Sequence, residues 1–420
     1  MATNSTLTDT SLYSRYKGLS LGVKILIWMG VGIAIGIGFG DDAAAVQPIG
    51  DLFIRLLLLS AIPLVFFNLI ASITSLADVS VLGRLGFKTL VYYFVTTSVA
   101  LCVGLLFADI MQPGIGMQLK EPVSSTFGDV PAISEIILGL FPENIFAAFS
   151  QGNIIQVVVF ALFLGVTILA LPEQQKDIVQ DSFALLTSLF RELVGLILRF
   201  APFGVAALAA ATIGSYGGAI VGPLAKFIVS IWSAQLIMVV AYMGLLAFLT
   251  KRQPLTWLKQ TAPLYATTAA TCSSLASLVV AMNVARERLR LPDNIYSFTL
   301  PLGAQLNKDG TAIMLTAVLL FTAQATGIEF SLAEMATIVF VGLILSESSG
   351  GIPQGGLVAA LVFVQSFDLP LEIAGIVAGI YRLVDMGSTT VNCMGDMAWT
   401  TILSDGEGER TGEQPGSQIT

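Results

Sequence analysis

The chain has 420 residues, of which 55% are hydrophobic and only 11% are charged, whereas a typical soluble domain has about 25% charged residues. This composition excludes an ordinary soluble fold and indicates an integral membrane protein. The sequence has no histidine, and its three cysteines are widely spaced, which argues against metal-dependent, disulfide-based or general-base enzymes. The net charge of −8 and the lack of a basic stripe argue against a nucleic-acid partner.

Six apolar stretches in the first half are each long enough to cross a bilayer, which takes about 20 residues of helix. Residues 1–17 are polar, and we predict a cytoplasmic tail there, followed by six transmembrane helices within residues 18–250. Lysine and arginine fall mainly in alternate connections, so the positive-inside bias places both termini in the cytoplasm, beneath a plasma (inner) membrane. The apolar stretches are 19–40, 49–75, 86–111, 133–171, 183–213 and 221–249.

In residues 251–405, two apolar segments are interrupted by small polar residues. The sequence TCSS breaks the segment 261–282, and SESSGGIPQGG breaks the segment 338–364; each is followed by an apolar helix with a polar centre. Irregular backbone at membrane depth is tolerated where it is buried or lines a cavity, and paired broken segments are typical of a transporter binding site. Residues 406–420 lack apolar periodicity and are predicted to be a disordered tail.

Three motifs resemble those of the dicarboxylate/amino acid:cation symporter family, which includes glutamate, aspartate and neutral amino acid transporters. They are PLGAQLNKDGT at 301–311, SESSGGIPQGG at 346–356 and DMGSTTVNCMGD at 385–396, and the resemblance covers nearly the whole chain. It implies an all-α polytopic membrane protein with eight transmembrane helices, two re-entrant helical hairpins and a homotrimeric assembly. In such a protein the first, second, fourth and fifth helices form a scaffold. The third, sixth, seventh and eighth helices form, with the hairpins, an elevator-type transport domain.

The resemblance also implies site residues. Asp385 corresponds to the aspartate that holds the substrate amino group, and the other positions implied for substrate are Ser274, Thr311, Gly350, Ile352, Ser388, Thr389 and Asn392. Sodium is the implied coupling ion, with no other cofactor. The first implied sodium site comprises Gly303, Asn307, Asn392 and Asp396. The second comprises Tyr93, Thr96, Thr97, Asn307 and Asp309. The third comprises backbone carbonyls of Gln305, Ser346, Glu347 and Ser349.

Departures from the family pattern bear on the substrate. Ser388 stands where members that carry acidic substrates have an arginine, and serine cannot provide the bidentate cation that reads a buried carboxylate. Tyr381 stands where an aspartate usually balances that arginine, and Cys272 where prokaryotic members often have a second one. Because Asp385 is retained, we predict a small neutral amino acid such as serine, alanine or threonine. An acidic amino acid remains the alternative if Arg382 reaches the site.

Two unusual charges map to one implied cation site. Lys308 replaces the family's usual methionine, and Glu347 occupies a hairpin position that is usually apolar. A lysine at mid-membrane costs about 2.5–3.5 kcal/mol on insertion scales and therefore needs a partner. The hypothesis is that Lys308 pairs with Glu347 and that its ammonium group replaces one sodium ion; the alternative is that Lys308 faces a watery cavity.

Other functional classes receive less support from the sequence. A channel would show charge rings or a filter repeat, and an enzyme a nucleophile–base pair or a metal cluster. A sodium-independent carrier and an anion channel are the remaining alternatives to a symporter. Three arginines near helix ends are interpreted as snorkelling anchors: Arg55, Arg191 and Arg199.

Overall fold

The computed structural model describes residues 16, 18–19, 21–75, 83–117, 141–151, 154–349 and 355–411. Within these ranges the chain forms helices, turns and short connections, and no β-strand. The predicted all-α class is therefore confirmed for the part of the chain that the structure describes. The residues 1–15 of the predicted N-terminal tail lie outside it, as does the segment 350–354, which contains Gly350 and Ile352.

The described residues of the first half form eight α-helices. Short 3₁₀ segments, Gly40–Val46 and Gly217–Ile220, join the first to the second and the seventh to the eighth. The predicted stretch 183–213 is divided at Arg199 and Phe200, because Pro202 suits the first turn of a new helix and cannot continue the old one. The helices are α1 (Leu21–Phe39), α2 (Gln47–Ser75), α3 (Gly83–Met111), α4 (Ile145–Gln151), α5 (Ile154–Leu169), α6 (Glu173–Leu198), α7 (Ala201–Tyr216) and α8 (Val221–Leu249).

Seven more α-helices lie in the part of the second half that the structure describes, with a π-helical turn, Val284–Arg288, after the second of them. They are α9 (Pro254–Thr271), α10 (Ser274–Asn283), α11 (Asp293–Leu306), α12 (Asp309–Thr326), α13 (Leu332–Ser348), α14 (Gly355–Gln365) and α15 (Leu371–Thr411). Helix α15 extends through residues 406–411, which the sequence predicted to be disordered. Extending a formed helix needs no new nucleation, and the nearby Arg252–Asp405 ion pair of 2.8 Å holds its last buried turn.

Four stretches of the described chain, one of them interrupted at Asn307 and Lys308, are helical, long and apolar enough to cross a membrane. Two of them, Val23–Ala71 and Ala201–Leu249, span 49 residues each and contain two helices joined by a 3₁₀ segment. The other two are Leu85–Met111 and Asp293–Thr326. Large apolar side chains of α3 and α8, such as Phe94 and Leu236, are exposed, as expected of a surface that faces lipid.

The helices form two packing groups. In the first group, α1 packs on α7, and α2 packs on α5, α6 and α7. In the second, α12 packs on α3, α14 and α15, and α8 packs on α3 and α15. Every residue of α12 from Asp309 to Ala323 is buried. The polar start of α12 therefore lies inside the second group, where α11 ends.

The first of the two segments that the sequence predicted to be interrupted contains a break. Between α9 and α10, Cys272 adopts the left-handed conformation with φ 50° and ψ 42°. Ser273 then caps α10, its hydroxyl accepting a hydrogen bond of 3.2 Å from the Ala276 amide. Helix α13 ends at Ser348 and α14 begins at Gly355, so the second interruption falls mostly in 350–354, outside the described residues.

Candidate functional site

The site is built around a break in the helical backbone between α11 and α12. Asn307 is extended, with φ −79° and ψ 115°, and Lys308 has φ −132° and ψ 36°, so neither continues a helix. A helix break leaves terminal carbonyl and N–H groups without helical partners. Asn307, Lys308 and Asp309 are at most 1% exposed, so these groups must be satisfied inside the protein.

Asn392 of α15 accepts hydrogen bonds from free backbone N–H groups in the first turn of α12. Its Oδ1 accepts hydrogen bonds from the backbone N–H groups of Gly310, at 2.7 Å, and Thr311, at 3.4 Å. Its Nδ2 donates to Thr311 Oγ1 at 3.2 Å. A Cβ atom at Gly310 would overlap the backbone of Ser388, so the absence of a side chain there lets α12 approach α15 closely. Two predicted substrate residues, Thr311 and Asn392, are therefore in direct contact.

The first implied sodium set converges at one place. Asn307 Nδ2 donates to Asp396 Oδ1 at 2.9 Å and to the Asn392 carbonyl at 3.1 Å. A Cβ atom at Gly303 would overlap the Asp396 carboxylate. Asn307 Oδ1 is buried, and no group of the described residues hydrogen-bonds to it. Carboxylate, amide and carbonyl oxygens are the ligands that hard cations take, and a buried oxygen without a donor favours a cation there. These residues fit a sodium ion.

The second implied set is brought together only in part. Asp309 Oδ1 accepts a hydrogen bond of 2.7 Å from Thr97 of α3, and both residues belong to this set. Its Oδ2 accepts from the Tyr242 hydroxyl of α8, a residue that the sequence reasoning missed. The Tyr93 hydroxyl donates to the Thr299 carbonyl at 3.2 Å, and Thr96 donates to the Tyr93 carbonyl of its own helix. Tyr242 could have been flagged as a polar aromatic residue in the middle of an apolar span.

The third implied set consists of backbone carbonyls on α11 and at the end of α13, two helices that pack against each other. The Ser349 hydroxyl donates to the Ser346 carbonyl at 2.8 Å, and the Ser346 hydroxyl donates to the Leu343 carbonyl. Both bonds therefore lie within the end of α13. The Gln305 side chain lies on α11 and accepts a hydrogen bond from Arg191.

The described substrate positions lie on two elements besides α12. On α15, Thr389 Oγ1 donates to Asp385 Oδ1 at 3.3 Å, and both side chains are buried. The Ser388 hydroxyl, one turn from Asp385, accepts a hydrogen bond from Gln235 of α8. Ser274 begins α10 and is 3% exposed. These positions place a buried carboxylate beside neutral hydroxyl groups.

The direct pair expected between Lys308 and Glu347 is absent from the described residues. Lys308 Nζ donates instead to the carbonyls of Ala304, at 2.8 Å, and Asn307, at 3.4 Å. Glu347 is 7% exposed, and neither of its carboxylate oxygens has a hydrogen-bond partner in the described chain. The ammonium prefers the carbonyl end of α11, where the helix dipole is negative. Lys308 still interacts electrostatically with Glu347 and Asp396.

The cluster has an excess of negative charge when its carboxyl groups are ionised. Asp309, Glu347 and Asp396 are three buried carboxyl groups, and Lys308 is the buried ammonium that interacts with all of them. Burying charge without a counter-ion is strongly unfavourable. Cations are therefore the natural complement of the site.

Two arginines form hydrogen bonds with groups on neighbouring helices. Arg191 was interpreted as a snorkelling anchor, but its guanidinium donates to Asn68 Oδ1 at 2.6 Å and Gln305 Oε1 at 3.1 Å. A guanidinium near a helix end reaches inward when acceptors on neighbouring helices satisfy it. Arg382, considered as a reader of acidic substrates, donates to the Ala270 carbonyl near the break between α9 and α10.

An apolar helical fold with a broken helix, buried carboxylates and half-helix ends at its centre defines a polytopic membrane transporter of a small solute. Residues 21–405 match the model of the sodium:dicarboxylate symporter family, and the chain belongs to that family.

Curated relatives are transporters too. The chain is 31% identical over 388 residues to the proton/sodium-glutamate symport protein of Bacillus caldotenax, covering 90% of this chain and 91% of that one. It is 28% identical over 375 residues to the proton/glutamate-aspartate symporter of Escherichia coli (strain K12), covering 86% and 84%. It is 30% identical over 405 residues to the C4-dicarboxylate transport protein of Cupriavidus pinatubonensis, covering 94% and 93%. The resemblance seen in the sequence motifs is confirmed, and the relatives are symporters and transport proteins, not enzymes.

Proposed function

We propose that the protein is a sodium-coupled symporter of a small neutral amino acid such as serine, alanine or threonine. The observation that carries the proposal is the pair of side chains one turn apart on α15. Asp385 is a buried carboxylate, suited to the ammonium group of an amino acid. Ser388 is buried and hydrogen-bonded to the neutral Gln235, so this turn offers no positive charge to a side-chain carboxylate.

The names of the relatives favour a second candidate, an acidic amino acid. Two of those compared are named for glutamate or aspartate, and a third for C4-dicarboxylates. A dicarboxylate without an amino group would meet the Asp385 carboxylate, which repels it. For aspartate, Arg382 would have to release the Ala270 carbonyl and turn into the site.

Uptake of labelled serine and labelled aspartate into proteoliposomes, with and without an inward sodium gradient, separates the two candidates. We expect the gradient to drive serine uptake, with aspartate taken up at least ~10-fold less well, because about 1.4 kcal/mol of unfavourable charge is enough for that ratio. Aspartate uptake driven by sodium at the higher rate would overturn the proposal for a neutral substrate. Serine uptake that ignores sodium would overturn the coupling.

We further propose that the protein works as an elevator, as a homotrimer in the plasma membrane with both termini cytoplasmic. Eight transmembrane helices and two re-entrant hairpins, α9–α10 and α13–α14, are part of this proposal. The two packing groups support the division: α1, α2 and α4 to α7 would form the scaffold, and α3 with α8 to α15 the transport domain. A hydrogen bond joins the groups, from Arg191 of α6 to Gln305 of α11.

Removing the Arg191–Gln305 bond should shorten the lifetime of this conformation. A hydrogen bond to a charged group contributes about 1.5–3 kcal/mol, so Arg191→Ala should speed departure from this state by about 10-fold or more. Single-molecule distance measurements between dyes on the scaffold and on α15 would report the lifetime. Asn68→Ala is the matched control, because it removes the Arg191–Asn68 bond and keeps the one to Gln305. Equal lifetimes in Arg191→Ala and the unmodified protein would show that the Arg191–Gln305 bond does not stabilise this conformation.

A further inference from the structure

Gln235 is a buried polar residue to which the family resemblance assigns no role. It lies in α8 near two large apolar side chains that are exposed, Trp232 and Leu236, yet it is itself 5% exposed. An uncompensated amide in such a place is costly, and polar side chains inside membrane helices usually face the protein interior for a reason. Its partner therefore indicates its role.

The partner of Gln235 is a substrate position. Gln235 Nε2 donates a hydrogen bond of 3.1 Å to the Ser388 hydroxyl oxygen of α15, and Ser388 is 1% exposed. The bond links helices that are 153 residues apart in sequence. Since Ser388 accepts this bond, its own hydroxyl hydrogen remains available to donate.

Glycine at position 387 makes room for the carboxamide. A Cβ atom there would overlap Gln235 Oε1 and lie 3.0 Å from Gln235 Cδ, so the amide rests directly on the α15 backbone. Gly310 plays the same part on the other side, where a Cβ atom would lie 2.6 Å from Ser388 Cα. Ser388 is thus held between α8 and the start of α12, with little freedom to turn.

The chemistry of this arrangement distinguishes substrates. Ser388 and Asp385 are three residues apart and share a face of α15. An amino acid whose ammonium group meets Asp385 would bring its side chain near a neutral, oriented hydroxyl. A substrate hydroxyl can accept from that group. A carboxylate can accept the same hydrogen bond, but it would bring a full negative charge near Asp385 without a compensating cation.

We propose that Gln235 is a specificity-determining residue, which holds the Ser388 hydroxyl so that the site favours small hydroxyl-bearing amino acids over acidic ones. The proposal rests on the function proposed above. Gln235 acts through Ser388, so it is a positioning residue and need not contact the substrate.

The test is a competition assay in proteoliposomes that contain the full-length protein. Unlabelled serine, threonine, alanine and aspartate compete with labelled serine, and each gives an apparent affinity. We expect Gln235→Leu to lower the preference for serine over alanine by about 5- to 10-fold, since losing a well-oriented neutral hydrogen bond typically costs about 1 kcal/mol or somewhat more. Ser388→Ala should have a similar effect, and the double variant should add little to either one.

Two further variants separate positioning from general packing. Gln235→Glu keeps the size of the side chain but replaces the amide donor with an acceptor, which would take up the Ser388 hydrogen, so its serine preference should be as low as that of Gln235→Leu. Ser230→Ala changes a buried hydroxyl of the same helix that has no hydrogen-bond partner in the described chain, so its preference should match that of the unmodified protein.

The outcomes distinguish the two proposals. If the unmodified protein takes up serine but Gln235→Leu weakens serine and alanine equally, Gln235 has only a structural role and this inference is wrong. If Gln235→Leu is not monodisperse after purification, Ser388→Ala decides the matter by the same ratio. If the unmodified protein takes up aspartate and not serine, the proposed function itself fails, whatever the variants do.

Discussion

Replacing Asp385 with asparagine is expected to abolish sodium-driven serine uptake at physiological concentrations. The carboxylate is 7% exposed and receives a hydrogen bond from Thr389, so it is held in place within the site. Breaking one side of a buried ion pair typically costs 3–5 kcal/mol, about 100-fold or more in apparent affinity. Serine concentration series in proteoliposomes, at saturating sodium, would measure the loss.

Asp405→Asn is the matched control for this prediction. Asp405 lies on the same helix, but it is partly exposed and pairs with Arg252 at 2.8 Å, away from the break between α11 and α12. Partly exposed ion pairs contribute about 1 kcal/mol or less, so this variant should change serine affinity by less than about 3-fold. If Asp385→Asn behaved like Asp405→Asn, the carboxylate would not hold the substrate amino group, and the proposed substrate class would lose its main support.

The sequence was most informative about breaks in the backbone that a local motif of small polar residues determines. The TCSS motif predicted a break, and the chain turns there through the left-handed conformation of Cys272. The polar motif at 307–311 was predicted to lie at the centre of one helix, but α11 ends and α12 begins there. The break at TCSS depends on residues close in the chain, whereas the break at 307–308 also depends on Asn392 of α15, which bonds the freed N–H groups. By contrast, no periodicity could show that Pro202 would divide the stretch 183–213 into α6 and α7, because that stretch is apolar on both sides of the division.

Contacts between residues far apart along the chain could not be predicted from the sequence. The Tyr242 bond to Asp309 spans 67 positions and the Gln235 bond to Ser388 spans 153. Both α8 residues lie in a helix whose composition indicates only a lipid-facing span. The bonds of Arg191 likewise depend on which helices become neighbours, so its reading as a lipid anchor was reasonable and wrong. Polar side chains inside apolar helices mark such sites, but the fold decides their partners.

The structure gives Lys308 partners other than the one that the sequence suggested. The sequence suggested an ion pair with Glu347, but the ammonium instead donates to two backbone carbonyls at the end of α11. Carbonyl oxygens at an unwound helix end are the groups that coordinate a coupling ion in transporters. The ammonium therefore interacts with the same kind of ligand as a sodium ion would, and it adds positive charge to a cluster rich in carboxylates. This contact supports the role of a built-in substitute ion better than the expected pair did.

Replacing Lys308 with methionine is therefore expected to make transport depend more strongly on sodium. Without the ammonium, the carbonyls of Ala304 and Asn307 lose their donor, and the nearby carboxylates lose a counter-charge, so an additional cation should bind. We expect the sodium dependence of serine uptake to become steeper and the half-saturating sodium concentration to rise by about 10-fold, equivalent to about 1.4 kcal/mol of lost stabilisation. The number of sodium ions moved per serine, obtained from reversal potentials in proteoliposomes, should increase by about one if each lost elementary charge is replaced.

Lys226→Met provides the control, since Lys226 is an exposed residue of α8 and its loss should leave the sodium dependence unchanged. Glu347→Gln tests the other charge: with one carboxylate fewer, the cluster needs less positive charge, so sodium dependence should become shallower than in the unmodified protein. The two substitutions thus act in opposite directions if the cluster balances its charge with cations. A sodium curve for Lys308→Met that overlays that of the unmodified protein would show that the ammonium is structural, and that the three buried carboxyl groups are balanced in another way.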